Sequence, residues 1–270
     1  MNFICPICKG ELCSAVASAV CGRGHSFDRA KEGYYNLLLS QTRKNHGDNR
    51  EMIDARRRFL SLGYYQPLAE RVAELVLAYT KPSAVLVDAG CGEGYYTDII
   101  ERALFERDGQ SRVFAFDISK DAARRTARLN SRISVAVASA YSMPFESGSV
   151  DTAVNVFSPL AREEILRILA PSGRFILVYP EKEHLFGLKA AIYDTPYKNK
   201  PENTDLPGFS LLYSERLRYE MNIEGSDAVK SLFMMTPYAY RTGKEERERV
   251  LNLSSIRTDA DFMIAVYEKE

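Results

Sequence analysis

The sequence predicts an α/β fold in which a mostly parallel sheet is covered by helices on both faces, with a small metal-binding module in front of it. Three observations carry that expectation. The apolar run Val85-Leu86-Val87 ends abruptly in Asp88-Ala89-Gly90-Cys91-Gly92-Glu93-Gly94, the pattern of a buried strand that breaks into a loop passing close to a ligand. Short apolar runs recur at 112–117, 133–137, 150–156 and 174–179, alternating with helical stretches at 97–106, 121–129 and 162–169, which is the βαβ rhythm of a parallel sheet. Cys5, Cys8, Cys21 and His25 are gathered at the N-terminus, ahead of all these elements.

Composition narrows the class. Thirty-six Lys and Arg balance 36 Asp and Glu, so no global charge selects for nucleic acid or a membrane surface. The first 65 residues nevertheless hold ten basic against six acidic side chains, a local excess. No apolar run is long enough to span a bilayer, and no charged start precedes an apolar signal segment. A cytoplasmic protein with no membrane contact is therefore expected. In a reducing compartment, five cysteines with four of them in the first 21 residues read as metal ligands rather than disulfides.

Three regions are expected: a zinc-binding RNA-recognition module at 1–40, a basic linker with helices capping the ligand site at 41–80, and a catalytic domain at 81–270. Cys5-Pro6-Ile7-Cys8 and Cys21-Gly22-Arg23-Gly24-His25 form a C-x2-C…C-x3-H arrangement, four ligands suited to the tetrahedron of a structural zinc. Cys13 stands outside both knuckles and is left free. The segment is too short to build a core alone, so metal binding would supply most of its folding free energy. Lys31, Tyr34 and Tyr35, continued by the polar stretch 41–49, interleave basic and aromatic residues as an RNA contact would; a solvated linker explains that stretch equally well. Asp48 or Asn49 can cap a helix carrying Met52, Arg56, Phe59 and Leu60, and Gly63 can stop it. A second helix starts near Pro67 and ends before Lys81-Pro82, and Tyr65 in the connection is a candidate ligand contact.

The glycine loop is D-x-G-x-G-x-G. It lacks the glycine a dinucleotide fingerprint needs where Tyr95 stands, and the Lys-Ser/Thr pair of a phosphate-binding P-loop. It resembles the first motif of the class I S-adenosylmethionine-dependent methyltransferases, whose Rossmann-like sheet has seven mostly parallel strands; runs at 211–222 and 261–269, around a helix at 227–235, would complete that number. The helix after the loop, starting at Thr97, would turn its positive end toward the ligand's carboxylate. Asp117, ending the second strand, stands where a carboxylate accepts from ribose hydroxyls, and Ile118 would lie on the adenine face. Ser139 replaces an acidic residue common in that class, so backbone groups near Ala140 would recognise the adenine. Asn155 and His184 are on the same rim.

The whole chain resembles the RlmA-type 23S rRNA (guanine-N1)-methyltransferases. The resemblance is carried by Cys5-x-x-Cys8, Cys21-x3-His25-x-Phe27-Asp28-x-Ala30-Lys31-Glu32-Gly33-Tyr34-x-Asn36-Leu37-Leu38, Gly47-Asp48, Glu51-Met52, Ala55-Arg56, Phe59-Leu60, Tyr65-x-Pro67, the loop from Asp88 to Thr97, His184-Leu185 and Met235-Thr236-Pro237. It implies S-adenosylmethionine and Zn(2+) as cofactors, a 23S rRNA hairpin as partner, and contacts to S-adenosylmethionine from Tyr65, Gly92, Glu93 and His184. Members that modify a neighbouring guanine can confer macrolide resistance, and residues 155–159 depart from the enterobacterial pattern, which leaves open which guanine is chosen. A homodimer is carried as an expectation that no residue demands.

The full set of expected cofactor contacts is Tyr65, Asp88, Gly90, Gly92, Glu93, Gly94, Tyr96, Thr97, Asp117, Ile118, Ala140 and His184, with Cys5, Cys8, Cys21 and His25 on the metal. Guanine N1 carries a proton, so a base is wanted; Asn155 and His184 are candidates by rim position only. The helix bearing Arg56, Arg57 and Arg58 is expected to hold the RNA together with the zinc module. Deleting 1–40 would then abolish RNA methylation and spare cofactor binding. Two rival readings share these motifs: a methyltransferase for small molecules, and a zinc-dependent RNA-binding protein with an inactive methyltransferase fold.

Overall fold

The computed structural model describes residues 3–15, 17–39, 48–200 and 205–270. The basic stretch 41–47 of the expected RNA-contacting linker lies outside them. At the N-terminus are β1 (Leu12–Ser14), β2 (Ser18–Cys21), β3 (Ser26–Asp28) and β4 (Tyr35–Asn36), followed by α1 (Arg50–Ser61) and α2 (Gln66–Tyr79). The alternating part runs β5 (Val85–Ala89), α3 (Tyr95–Asp108), β6 (Arg112–Asp117), α4 (Lys120–Leu129), β7 (Ser134–Val137), β8 (Val150–Val156), α5 (Arg162–Ile168) and β9 (Leu169–Pro180). It closes with α6 (Phe186–Ile192), β10 (Phe209–Glu224), α7 (Ser226–Met234), α8 (Lys244–Leu251) and β11 (Ser255–Lys269).

The main sheet has the order β10-β11-β9-β8-β5-β6-β7-β4. β11 is antiparallel to both neighbours and every other pair is parallel. Seven of these strands are those expected. The eighth, β4, comes from the N-terminal module and pairs Tyr35 with Ala136 and Asn36 with Val137. Strand order reverses at β5, which lies between β6 and β8, so the crevice at its carboxyl end is the topological switch point where ligands bind in such sheets.

Local chemistry explains the helix boundaries near that crevice. Asn49 caps α1, its side chain accepting from the Met52 amide at 2.9 Å. Gly94 opens α3 at φ +90°, where a Cβ would come within 2.9 Å of Thr126; only glycine meets both demands. The short α6 and α8 were not expected. Each is under nine residues and carries little periodic signal of its own.

Alternate residues of the strands feed two cores. Leu86, Val113, Val135, Val154 and Ile176 point to the face covered by α1, α2, α3 and α7. Val85, Val87, Phe114, Phe116 and Phe175 point to the other, which α5 shares with Phe3, Cys5, Leu12, Cys21, Tyr35 and Leu37. The zinc module therefore does not stand apart: its apolar residues complete one face of the sheet. Phe3 packs edge-on against Phe114 at 5.3 Å between centroids, and the Ile4 amide donates to the Pro144 carbonyl at 2.9 Å. Truncating 1–40 would strip this face, so the deletion expected to separate the two functions would damage the main sheet itself. Phe3→Ala should lower folding stability by about 3–5 kcal/mol, the usual loss for a buried aromatic, measured by chemical denaturation; a loss under about 1 kcal/mol, the scale of a surface change, would mean the module contributes little to that core.

Candidate metal centre and cofactor site

The two knuckles converge. Cys5, Cys8, Cys21 and His25 bring one ligand atom each to within 4.8 Å of one another. Cys21 Sγ is 3.3 Å from His25 Nδ1, Cys5 Sγ is 3.6 Å from the same nitrogen, and Cys8 Sγ is 3.5 Å from Cys21 Sγ. The edges of a zinc tetrahedron with sulfur and imidazole ligands are about 3.5–3.8 Å, so the donor set fits a structural zinc. Lys9 at φ +61° and Gly24 at φ +82° make the tight returns that aim the thiols inward. Burial opposes ionisation of Cys21, but hydrogen bonds from the Arg23 and His25 backbone and from Cys8 outweigh it and bring the thiol down to about 6. A thiolate at neutral pH is the form a metal requires. Cys13 is exposed on β1, away from the cluster.

At the carboxyl end of β5 the glycine loop is tied to β6 by its backbone. The Gly90 and Cys91 amides both donate to the Phe116 carbonyl, at 2.9 and 3.0 Å, and the Gly92 amide donates to Asp117 Oδ2 at 3.0 Å. Asp117 Oδ1 accepts from the Ser119 amide at 2.7 Å. Burial raises the Asp117 carboxyl, and the two amides counter it. Gly90, Gly92 and Gly94 all have positive φ. Asp88 sits beneath the loop, where its Oδ2 accepts from Thr97 Oγ1 at 2.5 Å, pinning the start of α3 to the end of β5. Burial, opposed by that bond and aided by Asp117, pushes Asp88 up to about 7. Glu93 is also raised to about 7 by burial, against the charges of Arg57, Arg125 and Arg56. Ile118 and Ala140 are half-buried at the ends of β6 and β7.

An aromatic wall closes the other side. Tyr65, at the start of α2, and His184 lie 3.3 Å apart from OH to Nε2. Phe262 packs edge-on against Tyr65 at 5.2 Å and lies 4.7 Å from His184. Tyr96 is half-buried beside them, and its buried hydroxyl has no hydrogen-bond partner among the described residues. An orphaned buried hydroxyl facing a site is what a bound ligand would satisfy.

Neither candidate base has the geometry of one. His184 Nδ1 accepts from the Asp261 amide at 3.4 Å, which leaves Nε2 as the protonated nitrogen. Burial, with Lys189 adding to it and Asp261 opposing, takes this imidazole down to about 3, so it is neutral and a weak acceptor. Asn155 spends both ends of its amide in its own loop: Oδ1 accepts from the Ser158 amide and Nδ2 donates to the Pro159 carbonyl, each at 3.3 Å.

The arginines of α1 also divide differently from expectation. Arg56 pairs with Asp48 and reaches the Met235 carbonyl at 3.5 Å, and its Nη1 lies 3.9 Å from where a Cβ on Gly92 would be. It therefore lies beside the glycine loop. Arg58 contacts Ser231 Oγ at 3.4 Å. Helical periodicity could place Arg56 on the buried stripe, but not show that the stripe ends at the loop. Phe157 and Phe262 were missed as well; only the bulky residue after a strand end at Val156 was a visible signal for the first.

Fold and site together define a class I methyltransferase with an N-terminal zinc ribbon. A profile of the RlmA N-terminal zinc ribbon matches residues 3–46, and a methyltransferase-domain profile matches 86–173. The 23S rRNA (guanine(748)-N(1))-methyltransferase of Streptomyces fradiae is 33% identical over 252 residues, spanning 91% of this chain and 88% of that one. YxjB of Bacillus subtilis (strain 168), provisionally named as a 23S rRNA (guanine-N(1)-)-methyltransferase, is 28% identical over 98% of this chain and 96% of its own. The chain belongs to the 23S rRNA (guanine-N1)-methyltransferase family.

The raised carboxyls give the cofactor-free protein a pH signature. Asp88 and Glu93 bind protons in the folded state well above their unfolded values of 3.8 and 4.5. Their contribution to stability is therefore complete at low pH and lost as pH rises through about 7. His184 is depressed from 6.5 to about 3, so its contribution grows as pH rises between those values and offsets part of that loss. Two carboxyls outweigh one imidazole, so the melting temperature should fall between about pH 5 and 7 and level off above about pH 8, and Glu93→Gln should flatten the fall. A level profile in the unaltered protein would mean that the arginines keep Glu93 ionised throughout.

Proposed function

We infer that this protein transfers the methyl group of S-adenosylmethionine to N1 of a guanine in a hairpin loop of 23S rRNA, with the zinc module contributing to RNA recognition. The observation that carries this reading is the union of the Cys5–His25 metal cluster and the methyltransferase sheet in one packed unit, matched together by a relative of that activity over 91% of the chain. A methyltransferase for small molecules has no use for the metal ribbon. The intact glycine loop and Asp117 argue against an inactive fold.

The residues around the loop fit the cofactor. Gly90, Gly92 and Gly94 leave the backbone open to close approach, and Asp117 keeps lone pairs for ribose hydroxyls beyond the two amides it already accepts. Ile118 and Ala140 would border the adenine. Tyr65, Glu93, Tyr96, Thr97 and His184 would surround the amino-acid end, with Asp88 supporting the loop from below. The sulfonium of the bound cofactor supplies an already activated methyl group, so the protein's task is to hold the nucleophile in line and exclude water. The aromatic wall of Tyr65, Tyr96, His184 and Phe262 suits water exclusion. As a neutral imidazole whose Nε2 carries its proton toward the Tyr65 hydroxyl, His184 would orient neighbours rather than accept the N1 proton.

Two measurements test this reading. Incubated with unmodified 23S rRNA and S-adenosylmethionine, the protein should label one guanine at N1, mapped by mass spectrometry; label elsewhere, or none, would overturn the assignment. The position of Arg56 beside Gly92 supports a role toward the cofactor's carboxylate. Arg56→Met should weaken S-adenosylhomocysteine binding by roughly 10-fold or more, the scale of one charge-assisted pair, and leave 5′-methylthioadenosine, which lacks that carboxylate, unaffected in calorimetry. Equal losses for both ligands would instead mark Arg56 as a support of the loop.

A further inference from the structure

Phe157 occupies a conformation that a core phenylalanine would not need. It follows the last residue of β8 and sits at φ +56°, in the left-handed region where a bulky side chain is strained. Its surroundings enforce this. The Phe157 amide donates to the Val178 carbonyl at 3.1 Å, and the buried amide of Asn155 clamps the next two residues from both ends. Ser158 is pressed against the glycine loop so closely that a Cβ on Gly90 would lie 1.9 Å from its Oγ. The strained turn and the glycine loop therefore form one rim.

The strain presents the ring rather than hiding it. Phe157 is 41% exposed, yet it lies 6.4 Å from His184 with the two rings nearly parallel at 19°, 6.2 Å from Tyr96, 6.5 Å from Tyr65 and 5.4 Å from Phe262. It backs onto the aromatic wall and remains open to solvent at the mouth of the cofactor crevice. Strain held by surrounding structure at such a site points to function, and an accessible aromatic face is the usual partner of an unstacked base.

We propose that the Phe157 ring is the platform on which the target guanine stacks, and that Asn155 acts through it as a positioning residue. This rests on the rRNA-methylating reading above. Stacking would hold the base flat against the wall and fix its approach to the crevice. The bonds that aim the ring are those of the Asn155 clamp, which accounts for a fully buried amide at the end of β8.

The test compares Phe157→Ala, Phe157→Gly, Phe157→Tyr and Phe157→Trp with the unaltered protein, reading methyl transfer to unmodified 23S rRNA, S-adenosylhomocysteine binding by calorimetry, and melting temperature. Glycine adopts the left-handed turn without strain, so that variant keeps the turn and removes only the ring. Alanine and glycine variants should lose about 10- to 100-fold in kcat/KM, the scale of one base–aromatic stack. Tyrosine and tryptophan variants should stay within about 3-fold, because either ring offers a stacking face. Cofactor affinity should be unchanged in all four. A glycine variant as active as the unaltered protein, aromatic variants as inactive as alanine, or activity lost in step with cofactor affinity would each overturn the proposal. If the unaltered protein labels no guanine, the functional reading itself fails and the proposal falls with it; labelling that Phe157→Gly leaves intact overturns the stacking role alone.

Discussion

One carbonyl organises the site. The Phe116 oxygen at the end of β6 accepts from both the Gly90 and Cys91 amides, and the next residue, Asp117, accepts from Gly92. Three consecutive amides of the glycine loop are thus spoken for by the neighbouring strand, and the loop can follow that path only because Gly90, Gly92 and Gly94 tolerate positive φ. The start of α3 and the seat of Ser158 against Gly90 both depend on it. A side chain at Gly90 would strike Ser158, and one at Gly94 would strike Thr126.

The zinc module shows how a segment too small for its own core is made stable. Its metal ligands arise from two knuckles whose turns need Lys9 and Gly24 in the left-handed region. Its apolar residues are lent to the sheet instead of being buried among themselves: Phe3 meets Phe114 and Phe145, and Tyr35 and Leu37 enter the same core. β4 then extends the sheet by backbone pairing with β7. Metal site and cofactor crevice are consequently held in one framework.

Electrostatics around the crevice are set more by burial than by pairing. Asp88, Glu93 and Asp117 are all raised, and burial is the main cause each time. Arg56 stands among them with Asp48 as its partner. His184 moves in the opposite direction for the same reason, since burial disfavours the charged form of either kind of group. The rim is built from neutral aromatic surface with charge held at its edge, an environment suited to a flat, uncharged base.

Much of this was legible in the chain. Local pattern determined the strand–helix alternation, the three glycines, the acidic ends of β5 and β6 and the four metal ligands, because each depends on residue type at short spacing. The tertiary structure decided what spacing cannot express. It turned Arg56 inward to the glycine loop, closed both ends of the Asn155 amide on its own turn, took the proton-accepting nitrogen of His184 with the Asp261 amide, and added β4 to the sheet. It also brought Phe157, Tyr65, Tyr96, His184 and Phe262 from five separate segments to one wall. Those contacts join residues as far apart as 65 and 262, and only the packing of helices and loops over the carboxyl edge of the sheet determines which side chains meet there.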